Sequence, residues 1–178
     1  MKQTVIKVVF IMLTIASCGA EPIASASSPD VSAGYGNITL PAGNITNVLL
    51  YKVEEGGAPP VKSPHQCHTY ANGDYFIENL EPGEYFLKGF MAGKEEFDLN
   101  FKGMKEEEFI KEAEIDVKPG ALAYFGSYNV NGLDQNMQKT ASFAIEHNHM
   151  AAKILILKHI KPDTQGTGWD RLIYRAMM

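Results

Sequence analysis

The chain has 178 residues, 45% of them apolar and 21% charged, which is the mix of one ordinary globular domain and not of a disordered segment. With 16 Lys and Arg against 21 Asp and Glu the formal charge is −5, and the chain holds no basic run, so the electrostatic footprint of a nucleic-acid binder is missing. Two cysteines can build neither a dense disulfide framework nor a four-cysteine zinc site.

Lys2 and Lys7 form a positive leader. The 13 residues from Val8 to Ala20 are uncharged, mostly apolar and end in small residues, which is the grammar of a signal peptide. A permanent membrane span needs about 17 to 25 apolar residues, so this stretch is too short to be one. Ile15-Ala16-Ser17-Cys18 sets an aliphatic and two small residues before a cysteine, and so resembles the lipobox of bacterial lipoproteins. The resemblance implies removal of residues 1–17, a diacylglyceryl thioether on Cys18 and fatty acylation, such as palmitate, of the new amino terminus. Each buried methylene contributes about 0.8 kcal/mol, so two or three such chains anchor firmly. Gly19, where an Asp would resemble an inner-membrane retention signal, favours the outer membrane.

Processing leaves 14 basic against 21 acidic side chains, a net charge of −7. That charge predicts a surface that repels anionic lipid headgroups and leaves attachment to the anchor. With Cys18 acylated, Cys67 has no intrachain partner. Residues 18–33, with Pro22, Pro29 and many Ala and Ser, show no helical or strand period and are expected to form a flexible lipid-anchored tether.

From Gly34 the pattern changes to short β-branched and aromatic runs broken by Gly, Pro and Asn about every ten residues, as in an antiparallel sandwich. The predicted strands are Gly36–Leu40, Val48–Val53, Pro60–Ser63, Asp74–Asn79, Tyr85–Met91, Phe97–Lys102, Glu114–Lys118 and Leu122–Val130, with a further one at Thr140–Glu146. The third is weakened by flanking prolines. Strict alternation in Tyr85–Met91 sets Tyr85, Leu87 and Gly89 on one face and Phe86, Lys88 and Phe90 on the other. Neither face is wholly polar, as befits a central strand.

Within Thr69–Leu87, Asn72-Gly73 offers the positive φ of a tight turn, and Glu81-Pro82-Gly83 a turn with Pro at its second position, joining two antiparallel strands. Tyr75, Ile77, Tyr85 and Leu87 can then fill one side of a sandwich. This turn-Gly, Tyr-x-Phe, Leu-x-Pro-Gly, Tyr wording resembles the carboxypeptidase regulatory-like, or transthyretin-like, β-sandwich modules over about Gly34 to Gly103. The resemblance implies a fold far more than a function. Pro119-Gly120 predicts a second hairpin leading into the aromatic strand Leu122–Val130.

Towards the carboxyl end the period lengthens. Asn148 can cap a helix over His149–Lys161 with Met150, Ile154, Leu157 and Ile160 on its apolar face, ended by Pro162. Trp169–Ala176 predicts a short closing helix with Trp169, Leu172 and Ile173 inward. The organisation expected is therefore a signal peptide (1–17), a tether (18–33), a β-sandwich (34–147) and a helical segment packed on it (148–178), mainly β and α+β overall.

For chemistry, His65, Cys67 and His68 together with His147 and His149 gather four of the five histidines, and are ligand types for zinc or copper. In an extended strand His65 and Cys67 share one side while His68 points to the other, and the spacing matches no strong metal signature. No Gly-x-Ser-x-Gly elbow or phosphate loop is present, and Cys67 and His68, as neighbours on a strand, face apart. The hydroxyisourate hydrolases among transthyretin-like proteins end in Tyr-Arg-Gly-Ser. Tyr174-Arg175 here is followed by Ala176-Met177, so that activity is not carried over. The acidic run Lys105–Glu112 reads as a solvated connection. Among Tyr70, Tyr75, Phe76, Tyr85, Phe86 and Phe90, one or two are expected to be exposed as a binding patch.

The expectation is a membrane-anchored envelope lipoprotein that is not an enzyme and carries no cofactor. Its sandwich would bind an envelope protein or a glycan, and not nucleic acid. The alternative is a periplasm-facing metal-binding protein using the His/Cys cluster.

Overall fold

Alternating apolar residues, broken by glycine and proline, produce ten short strands among the described residues, 22–54, 59–99, 105–134, 140–145 and 149–178 of the computed structural model. In chain order they are β1 (Ser32–Thr39), β2 (Asn47–Lys52), β3 (Val61–Lys62), β4 (Gln66–Thr69), β5 (Asp74–Leu80), β6 (Gly83–Ala92) and β7 (Glu95–Leu99). Helix α1 (Glu106–Ala113) leads to β8 (Ile115–Val117), β9 (Leu122–Asp134) and β10 (Thr140–Ile145). Helix α2 (His149–Ile160), a 3-10 turn (Lys161–Thr164) and α3 (Trp169–Met177) end the chain.

Hydrogen bonding follows one path, β3-β2-β6-β7-β10-β9-β1-β5-β4, with β8 also on β6. The path folds into two layers, one around β2 and β6 and the other around β9, β1 and β5, with the β7–β10 pairing as the bend. Most pairs are antiparallel, while β1–β9 and β7–β10 run parallel. Between the layers lies the main core, which includes Ile38, Val48, Leu50, Tyr75, Ile77, Tyr85, Leu87, Phe90, Phe97 and Phe125. The protein is thus a mainly β sandwich with a helical end.

A second core covers the outer face of the β1–β5–β9 layer, where Ala33, Tyr35 and Phe76 meet Ile156, Leu157, Ile160, Trp169 and Ile173 from the helices, and Ile23. Burying such side chains contributes about 1.5 to 3 kcal/mol each, which makes the helical layer integral to the fold.

Several expectations need correction. Residues 22–31 are not a flexible tether. Ile23 is buried, Ala26 N–H donates to Thr167 O at 3.0 Å, and the Trp169 indole donates to Ala24 O at 2.9 Å. Backbone hydrogen bonds, to which hydropathy patterning is blind, dock this strap. The two Pro-Gly turns are not hairpins either. β5 pairs with β1 and β4 while β6 pairs with β2, β7 and β8, so Glu81-Pro82-Gly83 carries the chain from one layer to the other. Pro119-Gly120 does the same between β8 and β9, with Ala121 N–H donating to Lys118 O and Gly120 at φ +60°.

Alternation in β6 breaks where the register with β2 shifts between Leu49 and Leu50, opposite Leu87 and Gly89. The extra residue brings Phe90 to the same core as Tyr85 and Leu87. On the opposite layer Gly36 has a comparable reason to be glycine, since a Cβ there would collide with the Tyr75 hydroxyl and the Gly126 carbonyl.

The remaining differences are local. The acidic run forms α1, whose Glu108 carboxylate accepts from Lys105 N–H, and Lys105, Glu108, Lys111 and Glu112 are exposed on it. Met150 is exposed, and the buried face of α2 is Ile156, Leu157 and Ile160. Tyr75, Phe76, Tyr85, Phe86 and Phe90 are all buried and Tyr70 is half-buried, so none of them supplies an exposed patch. The residues of the leader, Cys18 and Asn148 lie outside the described residues.

Candidate functional site

The segment carrying His65, Cys67 and His68 is edge strand β4 and the turn before it, antiparallel to β5 with Cys67 opposite Ile77 and His68 opposite Phe76. Alternation separates the two neighbours. Cys67 packs against the interior of the sandwich, and burial pushes its thiol up to about 12 despite a Val48 backbone hydrogen bond. His68 is buried on the outer face, with Nε2 at 3.4 Å from Glu78 Oε2, an ion-pair distance without hydrogen-bond alignment.

The His65 ring bridges backbone, Nδ1 at 2.9 Å from Ser63 O and Nε2 at 3.2 Å from Val48 O. Burial holds its pKa below the ordinary value even though both carbonyls favour the proton. As a neutral imidazole it carries one N–H, so one ring nitrogen donates to its carbonyl while the other lies against a second backbone oxygen, and both nitrogens face backbone. Among the described residues no three His, Cys, Asp or Glu side chains converge on a metal position. His147 and the side chain of His149 lie outside what the structure describes.

The structure assembles a different polar constellation along the outer face of β5. Asp74, Phe76 and Glu78 alternate onto that face, and each holds a different element of the helical layer. Asp74 is nearly fully buried. Its Oδ1 accepts from Asn37 Nδ2 at 2.7 Å, and its Oδ2 accepts from Asn72 Nδ2 at 2.7 Å and meets His159 Nδ1 of α2 at 2.9 Å. Phe76 meets the Trp169 ring of α3 edge-on at 6.1 Å. Glu78 Oε2 accepts from Ala24 N–H of the strap at 2.6 Å, and Asn79 Oδ1 accepts from Ser27 N–H at 2.9 Å.

Tyr70 closes one end of this seam, its ring 5.1 Å from that of His159. Burial, then a hydrogen bond to Asp163, raises its phenol pKa well above the ordinary value. A buried carboxylate on Nδ1 of a half-exposed imidazole is the orienting half of a general-base pair. Among the described residues no hydroxyl or thiol hydrogen-bonds to Nε2 of His159, so the visible role of the pair is mechanical, joining β5 and β1 to α2.

Spacing along the chain could not reveal Asp74–His159, because the partners are 85 residues apart. The available signal was composition: Asp74 and Glu78 are acids placed two positions either side of Phe76 in a largely apolar strand. Neither family models, curated proteins nor solved structures yield a match to this chain.

Proposed function

We propose that the chain is a lipid-anchored lipoprotein of the bacterial cell envelope, held at Cys18 and facing the periplasm or the surface from the outer membrane. Its sandwich, of the carboxypeptidase regulatory-like type, is a non-catalytic binding or structural module for an envelope protein or a glycan. The observation that carries this reading is the ordered series of Lys2 and Lys7, the uncharged stretch from Val8 and Ile15-Ala16-Ser17-Cys18. The docked strap supports it, because Ile23, five residues past Cys18, is already buried in the second core. At about 3.3 to 3.6 Å per extended residue, the folded body then starts within roughly 20 Å of the lipid.

The test is metabolic fatty-acid labelling of the full chain in a bacterial host, with fractionation of the envelope. The wild type is expected to take up label and partition with membranes, and Cys18→Ala to lose the label and leave them. A wild type without label, or a Cys18→Ala chain that stays labelled, sinks the reading.

A further inference from the structure

We propose that the outward face of α3 is a contact surface for the anionic phospholipid headgroups of the bilayer that holds the chain. The proposal rests on the anchored reading above and adds a surface to it. α3 turns Trp169 and Ile173 into the second core. The opposite face carries Arg171, Tyr174, Arg175 and Met178, spaced i, i+3, i+4 and i+7, so all four share one side. Tyr174 is 57% exposed and Met178 91%, and both arginines are exposed. These two are the only arginines in the chain.

Lys161 from the 3-10 turn adds a third cation, its Nζ 5.5 Å from the centre of the Tyr174 ring. Together these residues and Asp170 line an open groove of about 670 Å³. Among the described residues neither guanidinium has an ion-pair partner.

Charge is distributed so that this face differs from the rest. Residues 149–178 hold five Lys and Arg against two Asp, whereas residues 18–148 hold nine against nineteen Asp and Glu. The overall acidity that predicts repulsion from lipid therefore belongs to the sandwich, and the helical end has the opposite sign. The combination fits a membrane interface. Guanidinium groups pair with phosphates in two-point geometry, a tyrosine ring settles at headgroup level, and the methionine lies at the acyl boundary.

Chain length supplies the second argument. Ala24 O is bonded to the indole of Trp169, the first residue of α3, and only five residues separate Ala24 from Cys18. Fully extended, that link spans about 20 Å, so an acylated Cys18 holds α3 beside the membrane whatever path the link takes.

The experiment uses the acylated protein reconstituted in phosphatidylcholine vesicles with or without phosphatidylglycerol, and reads amide hydrogen exchange over residues 169–178. At low salt a basic residue near an anionic surface is expected to shift the contact equilibrium about fivefold, so two arginines give about 25-fold slower exchange on the phosphatidylglycerol vesicles, lost at high salt. Arg171→Gln/Arg175→Gln should exchange alike on both vesicles while keeping the wild-type circular dichroism. Lys94→Gln/Lys111→Gln, which removes the same charge from the sandwich side, should keep the difference.

Flotation and the mass of the Cys18 peptide test the anchor independently. Acylation with equal exchange on the two vesicles overturns the surface and keeps the anchor. Salt-sensitive protection of an unacylated chain overturns the anchor and keeps the surface.

Discussion

Replacing Trp169 separates what the helical layer gains from burial and what it gains from a single hydrogen bond. The indole is 1% exposed, stands edge-on to Phe76 at 6.1 Å, and donates from Nε1 to Ala24 O at 2.9 Å. Trp169→Ala removes all three contributions, and truncations of this size in a core cost about 3 to 5 kcal/mol. Against a typical total of about 5 to 15 kcal/mol this is a fifth or more of the stability. At about 2 to 4 °C per kcal/mol for a body of this size, the expected fall in Tm is roughly 6 to 20 °C.

Trp169→Phe retains much of the apolar area and an edge-on ring but leaves the Ala24 carbonyl unpaired, a loss of about 1 to 3 kcal/mol. Circular dichroism melts read the stability of both variants. Hydrogen exchange at Ala24, Ala26 and Ser27, whose amides bond to Glu78, Thr167 and Asn79, reads the strap itself. Trp169→Phe should accelerate exchange at these three amides beyond its effect on the strands of the main core. Wild-type exchange there, or acceleration equal throughout the molecule, refutes the claim that the indole holds the strap.

Two further outcomes follow from the seam and from β4. Asp74→Ala removes the acceptor shared by the half-buried Asn37, the exposed Asn72 and His159, and is expected to cost about 1.5 to 3 kcal/mol, the range of one bond to a charged acceptor, because Asn37 keeps its bond to Asn72 O and Asn72 can turn to water. A double-mutant cycle with His159→Ala should return a coupling of about 0.5 to 1 kcal/mol for this half-exposed ring, and a coupling of zero in urea unfolding removes α2 from the role assigned to the pair. His65 titrates below its ordinary value of 6.5 in the folded state because its ring is buried. The folded chain thus binds fewer protons at this site than the unfolded one, so its stabilisation is complete above about pH 6.5 and shrinks as pH falls below it. Tm should accordingly fall less steeply for His65→Gln than for the wild type between about pH 7 and pH 5, and parallel slopes contradict the assignment.

Strand positions are legible in the sequence because their signals are local. Asp74–Leu80 and Gly83–Ala92 follow from alternation and from the turn residues that bound them. The partners of those strands are not legible. A Pro-Gly turn has the same chemistry whether the next strand returns beside the last one or crosses to the facing layer, and both such turns here cross. The bulge that turns Phe90 inward likewise depends on the register with β2, which no property of β6 alone contains.

Residues 22–31 have the composition of a linker because Ala, Ser and Pro have no period to detect, yet one buried isoleucine and a few backbone bonds suffice to dock them. In β4 the period of two is by itself enough to set Cys67 and His68 on opposite faces. The seam on β5 combines both cases. Its acids stand out in a largely apolar strand, whereas their partners lie on α2 and on the strap, at separations of 85 and 54 residues.

The place of β1 has a consequence for the order in which the chain can fold. This early strand is flanked by β5 and by β9, and its parallel register sets Ala33 against Leu122, about ninety residues later. Pairings of such long range pay their loop-closure entropy before any contact rewards it, so they form late and slowly. A chain of this topology that emerges amino terminus first cannot complete its central layer until residue 122 and beyond are available. Until then that layer stays open even though β2, β3, β6 and β7 can already pair, and a half-built sandwich of this kind is easier to thread through a narrow translocation pore than the finished one.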